Sequence, residues 1–147
     1  AQARGATVYA RVLGVARARA GSGGPEDPTP LVRAAERALA NAALGPMDLD
    51  LVIGGACGGP AAARERAALE TLLGSSPCRV RWPKALVGEG FAFTSALQAI
   101  VGALAIAKNV VPETYGDESR DPKCSVKTVL VLAASRPGGA VAVVLSK

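Results

Sequence analysis

Three observations predict an α/β fold with helical crossovers feeding a parallel-type sheet. Short apolar runs of strand length alternate with segments of helical period. Glycine, proline and aspartate cluster between them. The chain also closes on two β-forming runs joined by SRPGG. In order the elements read βαβαβαββ, a mixed sheet with a terminal hairpin. At 147 residues, a single domain covering 1–147 is expected. Such a domain buries roughly 70% of the surface of the unfolded chain.

Residues 7–16, TVYARVLGVA, are rich in β-formers and predict the first strand. The turn chemistry of GSGGPEDPTP follows. Thr29 is a candidate cap with Pro30 in the first helical turn, and Gly45-Pro46 ends the helix. Leu31, Ala35, Ala38, Leu39 and Ala42 form its inner face, while Arg33, Glu36, Arg37 and Asn41 face outward. Residues 49–54, LDLVIG, predict a short strand. The loop GGACGGP leads into a second helix with an Ala62, Leu69, Leu72 and Leu73 stripe, stopped by Gly74. In CRVRW (78–82), Cys78, Val80 and Trp82 alternate with two arginines, the pattern of a half-buried strand.

Residues 95–108, SALQAIVGALAIAK, are apolar nearly all round. A helix of that kind is covered on every side, and a chain of this size has little room to do so. The loop VVPETYGDESRDPKCSVK carries Glu113, Asp117, Glu118 and Asp121 and is long for a compact domain. KTVLVLAA and AVAVVLS then make the closing hairpin.

Composition excludes several function classes. The chain is 50% hydrophobic and 3% aromatic, with a net charge of +5. Its arginines are scattered and its stacking residues few, which argues against nucleic-acid binding. Cys57, Cys78 and Cys124 lie far apart with no CxxC, and there is no histidine. Reduced cysteines fit better than a disulfide frame or a zinc site, so no metal or cofactor is expected. The N-terminal stretch has no signal-peptide core, and the longest apolar run is too short to span a bilayer. A soluble, cytoplasmic protein without membrane or nucleic-acid partners is expected.

Three chemical candidates stand out. GGACGGP (54–60) lies between strand and helix, where N–H groups can cradle an anion. It is neither GxGxxG nor a P-loop, and a tight turn explains it better. Cys57 near a helix start has the setting of an activated thiol, but with no histidine it lacks a base, and a packed cysteine fits better. Glu89, at the mouth of the apolar helix, is either a general base or the ion-pair partner of Lys84; the ion pair is favoured.

With these segments in place, the chain resembles the C-terminal half of a β-ketoacyl synthase, of the thiolase fold, over essentially its whole length. ATVYARVLGVA, DLDLVIGGACGGP, WPKALVGEGFAF, VVPET, DPKC and SRPGGAVAVVL fall in the order of the family's segments. The resemblance implies a first catalytic histidine at Gly55, counting back from Pro60; a one-residue gap in the next helix leaves a neighbouring register open. It implies the second histidine at Glu89, counting from Lys84, which is retained. Pro137, preceded by Arg136, stands where the family's gating phenylalanine is expected. The nucleophilic cysteine belongs to the other half, so Cys57 is not its counterpart.

Loss of both histidines resembles the chain-length factor, or ketosynthase β, of type II polyketide synthases. WPKALVGEGF and AASRPGG look closer to that subunit than to active enzymes. The resemblance implies a non-catalytic half-subunit of an acyltransferase complex. It would shape an acyl-chain cavity with an active ketosynthase and acyl carrier protein. Cys57, Gly58, Gly59, Arg136, Pro137, Gly138 and Gly139 are its candidate channel or loop residues. It also implies a thiolase-like half with one buried central helix, covered by an N-terminal half on a separate or cleaved chain. The alternatives are malonyl-carrier-protein decarboxylation or another altered reaction using Glu89, and a stand-alone scaffold.

Overall fold

The computed structural model describes residues 2–19, 27–56, 58–90, 92–113, 125–134 and 139–147. Its strands are β1 (Arg11–Ala18), β2 (Leu51–Ile53), β3 (Arg79–Arg81), β4 (Thr128–Ala134) and β5 (Ala140–Ser146). Its helices are α1 (Thr29–Asn41), α2 (Gly59–Leu73), the single turn α3 (Lys84–Val87) and α4 (Ala92–Lys108). One sheet runs in the order β1-β5-β4-β2-β3. β2 pairs parallel with β3 and β4, while β5 pairs antiparallel with β4 and β1. The predicted βαβαβαββ order therefore holds, with α3 as an unpredicted turn inside WPKALVGEG.

The sheet has two apolar faces, so its interior strands read as continuous apolar runs. Val52, Leu130, Leu132, Ala142 and Val144 point to a core shared with α1 and α2. Leu51, Ile53, Val129, Val131 and Leu145 point to a second core under α4. The alternation along β2 and β4 is the period-two geometry of a strand.

α1 lies very close to the first face because its contact residues are small. Ala34, Ala35 and Ala38 are fully buried, and a Cβ built on Gly14 of β1 would collide with the Ala38 carbonyl oxygen. The Asn41 amide donates to the Val15 carbonyl at 3.0 Å and ties the helix end to β1. On the second face, α4 packs through Thr94, Gln98, Gly102, Ala105 and Ile106, all buried. A Cβ on Gly102 would lie 3.2–3.3 Å from the side chains of Val129, Leu145 and Val131.

α4 covers only part of that face. Val15 and Val141, on β1 and β5, stay exposed beyond it. A groove of about 200 Å³ separates Ser95 and Ala99 of α4 from Val131, Val141 and Val143. The outer side of α4 carries Phe93 and Ile100, 58% and 55% exposed, and Leu104. The helix predicted to need cover all round is thus covered on one side by the described residues.

Several local expectations shift. β1 begins at Arg11 rather than residue 7, because its pairing with β5 ends at the Arg11–Ser146 rung. Pro28, not Thr29, stands at the N-cap of α1; just before it Asp27 Oδ1 accepts the Thr29 N–H at 2.9 Å, and the Thr29 side chain, then that N–H, lower the Asp27 pKa. α1 ends at Asn41, ahead of Gly45, and Ala43 takes a left-handed φ of 55° as the chain turns away. Arg81, expected on an outward face, is buried, and its guanidinium finds carbonyl acceptors there. Its Nε donates to the Pro112 carbonyl at 3.1 Å. Residues 21–26 of GSGGPEDPTP and 114–124 of the acidic loop, which include Asp117, Glu118, Asp121 and Cys124, lie outside the described residues. Among the described residues, no helix is long and apolar enough to cross a membrane.

Candidate functional site

The candidate residues converge where β2 and β3 end and α2, α3 and α4 begin. Gly55 follows β2, Lys84 opens α3, and Glu89 lies between α3 and α4. What joins them is Glu65, on the inner face of α2 and buried.

Glu65 gathers the N–H groups of the post-β2 loop. Its two carboxylate oxygens accept the Gly55 N–H at 3.0 and 3.1 Å, and its Oε1 accepts the Trp82 indole N–H at 2.8 Å. The Ala56 N–H also lies on this carboxylate. Burial raises the Glu65 pKa; the Trp82, Gly55 and Ala56 donors and the Lys84 charge oppose that rise without cancelling it. The anion-cradle reading of GGACGGP loses ground accordingly, since two of the loop's N–H groups already hold an internal carboxylate. Gly58 and Gly59, with φ of 133° and 60°, turn the chain into α2 in backbone regions that favour glycine, as the tight-turn reading requires.

Lys84 and Glu89 form an ion pair with Nζ 2.6 Å from Oε2. The lysine side chain is 10% exposed and the glutamate 39%, so the pair lies at the rim of the site. The Thr94 hydroxyl donates to Glu89 Oε1 at 3.2 Å and accepts the Gly90 N–H at 2.8 Å, which fixes the segment before α4. Lys84 thus acts electrostatically on two carboxylates, Glu89 by contact and Glu65 at longer range.

Gln98, which interrupts the apolar run in the sequence, lies on the far side of Gly55. Its Nε2 donates to the Leu132 carbonyl at 3.0 Å, and its Oε1 is buried with no hydrogen-bond partner among the described residues. Neither Glu65 nor Gln98 was among the expected site residues. Glu65 fills the gap between Ala62 and Leu69 in the α2 stripe, and a carboxylate in an otherwise apolar stripe was the available signal.

Gly139 is half buried just before β5. Cys57, Arg136, Pro137 and Gly138 lie outside the described residues. Cys78 is not a reactive thiol: burial, and then the Asp50 charge, push its pKa up to about 12. Among the described residues, no three Cys, Asp or Glu side chains gather as a metal site would require.

This chain belongs to the β-ketoacyl synthase family, whose C-terminal domain matches residues 9–117. Within that family it is similar to the tetracenomycin polyketide synthase ketoacyl synthase beta subunit of Streptomyces glaucescens. The two are 37% identical over 129 residues, 85% of this chain and 31% of the relative. The chain thus spans about a third of the length of the curated relatives it matches. Two solved structures share its fold at lower identity. The ishigamide ketosynthase/chain length factor superposes with a TM-score of 0.89 at 24% identity, over 99% of this chain and 40% of that one. A type II polyketide synthase acyl-carrier protein in complex with its ketosynthase gives 0.84 at 23%, with the same coverage.

Proposed function

We propose that this chain is a non-catalytic, chain-length-factor-like half-subunit of a β-ketoacyl synthase complex in polyketide or fatty-acid-type biosynthesis. It helps shape the cavity for the growing acyl chain and supports an active ketosynthase partner. The carrying observation is the ion pair at Glu89. Where the family resemblance puts a catalytic histidine, a carboxylate is clamped to Lys84, and the chain has no histidine elsewhere. A carboxylate there repels the enolate that condensation must stabilise. The same ion pair argues against Glu89 as a base in decarboxylation, since Lys84 already holds one of its carboxylate oxygens and the Thr94 hydroxyl the other.

The partner set follows from the fold and from relatives. The exposed outer side of α4, with the groove beside it, is the surface an N-terminal thiolase half would cover, on a separate or cleaved chain. Similar proteins include a ketosynthase/chain length factor and a ketosynthase bound to an acyl-carrier protein. An active ketosynthase and an acyl carrier protein are the corresponding partners here.

Native mass spectrometry of the protein purified from its own host tests this reading. A complex containing an N-terminal thiolase half and a ketosynthase is expected. With the nucleophilic cysteine of that ketosynthase replaced, the complex should not condense. A monodisperse chain of 14.7 kDa alone would overturn the partner reading. Condensation by the cysteine-replaced complex would overturn the non-catalytic one.

A further inference from the structure

The backbone at residues 54–56 is held from several sides. The Gly54 N–H donates to the Arg81 carbonyl at 2.8 Å, extending the β2–β3 pairing one residue past β2. The Gly55 N–H is held by Glu65, and Glu65 in turn by the Trp82 indole. Arg66 lies over the Trp82 ring, 5.9 Å from its centroid, and the ring packs against the first core. On the opposite side, Gln98 bonds the Leu132 carbonyl, one residue past the last β2–β4 pair, Ile53–Val131.

This arrangement leaves no room for a side chain at Gly54 and little at Gly55. A Cβ built on Gly54 would collide with Glu65 Oε1 and with the Trp82 indole. A Cβ built on Gly55 would lie 3.0 Å from the Leu132 carbonyl oxygen and 3.2 Å from Gln98 Nε2, two groups bonded to each other. Ala56 already carries its methyl group in a buried position. A clash with a flexible side-chain end is relieved by rotation. Here the Glu65 carboxylate is buried and bonded to several donors, so rotation strands those N–H groups without partners.

We propose that the Glu65–Trp82 pair on one side and the Gln98–Leu132 bond on the other close residues 54–56 into a fixed wall, with no place in it for a histidine at Gly55. Glu65 and Trp82 act as positioning residues for the loop. The significance of a histidine there rests on reading Gly55 as one of the family's histidine positions; the wall itself does not. Loss of a catalytic histidine by substitution alone would leave a cavity that the reverse change refills. Here neighbouring side chains have taken the space.

The test is amide hydrogen exchange, read by mass spectrometry on the peptide spanning 51–58, in the protein together with the chains that accompany it. Gly54→Ala adds one methyl and is expected to speed exchange there about tenfold or more, as Glu65 is forced off its donors. Where Gly54→Ala does not accumulate, Trp82→Phe keeps a ring and removes only the N–H. It is expected to speed exchange in the same peptide by a smaller factor. Wild-type exchange in either variant overturns the closed wall. The second readout is exchange in the same peptide of a Gly55→His variant. Exchange at least about tenfold faster than in the wild type is expected, and wild-type exchange overturns the exclusion of a histidine. Condensation by the cysteine-replaced complex with the wild-type chain would instead overturn the non-catalytic reading, and the exchange data would still decide the wall.

Discussion

The two faces of the sheet are built from similar residues and finished differently. The face under α1 is closely packed, and a groove of about 300 Å³ remains only toward its edge, between α2 and β3. Its alanines pack against Gly14, and its one carboxylate, Glu65, is bonded to backbone and indole N–H groups. The face under α4 is equally apolar but only part-covered, and the outward side of α4 is as hydrophobic as its inward side. A globular domain that stood alone would place polar residues on that outer side. The difference separates the part of the sheet covered by the described residues from the part that the proposed partner half would cover. It also separates the two loops of the candidate site. The one after β2 is closed by Glu65 and Trp82, whereas the one before α4 ends on a rim ion pair.

Substitutions on the two faces break or sharpen that contrast. The largest effect is expected from Glu65→Ala, which strands the Gly55, Ala56 and Trp82 donors. Loss of about 4 kcal/mol is expected in denaturant unfolding of the purified protein. A loss under about 1 kcal/mol would mean that the loop finds other acceptors.

The pH dependence of the same residue has a definite sign. The pKa of Glu65 in the folded protein is raised above 4.5, so the folded state holds its proton more tightly than the unfolded chain. The associated stability is present below that value and is lost as pH rises through the folded pKa. Melting curves of wild type and Glu65→Gln across this window should therefore diverge, with the wild type alone declining. Parallel curves would remove Glu65 as the source.

Gly14→Ala is next, at about 3 kcal/mol, because the new methyl meets a helix carbonyl rather than a side chain and α1 must move away from β1. Thermal unfolding checks it. Ala43→Gly should stabilise by up to about 1 kcal/mol, since the left-handed φ of 55° carries a penalty for a residue with a Cβ. The smallest effect on the fold is expected from Ile100→Lys on the open face, within about 0.5 kcal/mol. Its consequence should appear instead in native mass spectra, as loss of an accompanying chain. A strongly destabilised fold with unchanged assembly would reverse the contrast between the faces.

Much of the architecture was legible because it is written in periodicity. The strand and helix order, the α1 face, the half-buried strand at 78–82 and the terminal hairpin follow from spacings of two and three to four residues. The Lys84–Glu89 pair was legible too, as opposite charges five residues apart across a glycine. What periodicity misread were residues whose polarity points one way and whose partner points the other. Arg81 looks like a surface residue until Pro112, thirty-one positions on, offers it a carbonyl. Glu65 looks like an exposed helix residue until the β2 loop and Trp82 bring N–H groups to it.

By itself the sequence determined the fold class, the absence of an imidazole, and the apolar character of α4, since these depend on composition and local spacing. Only the tertiary structure decided which side of α4 is covered, that Gly54 and Gly55 have little room for a side chain, and that Glu65 holds their loop. Those outcomes depend on contacts between residues from ten, as for Gly55 and Glu65, to 77 positions apart, as for Gly55 and Leu132. Steric exclusion and hydrogen-bond satisfaction at such separations are fixed only once the strands and helices have packed.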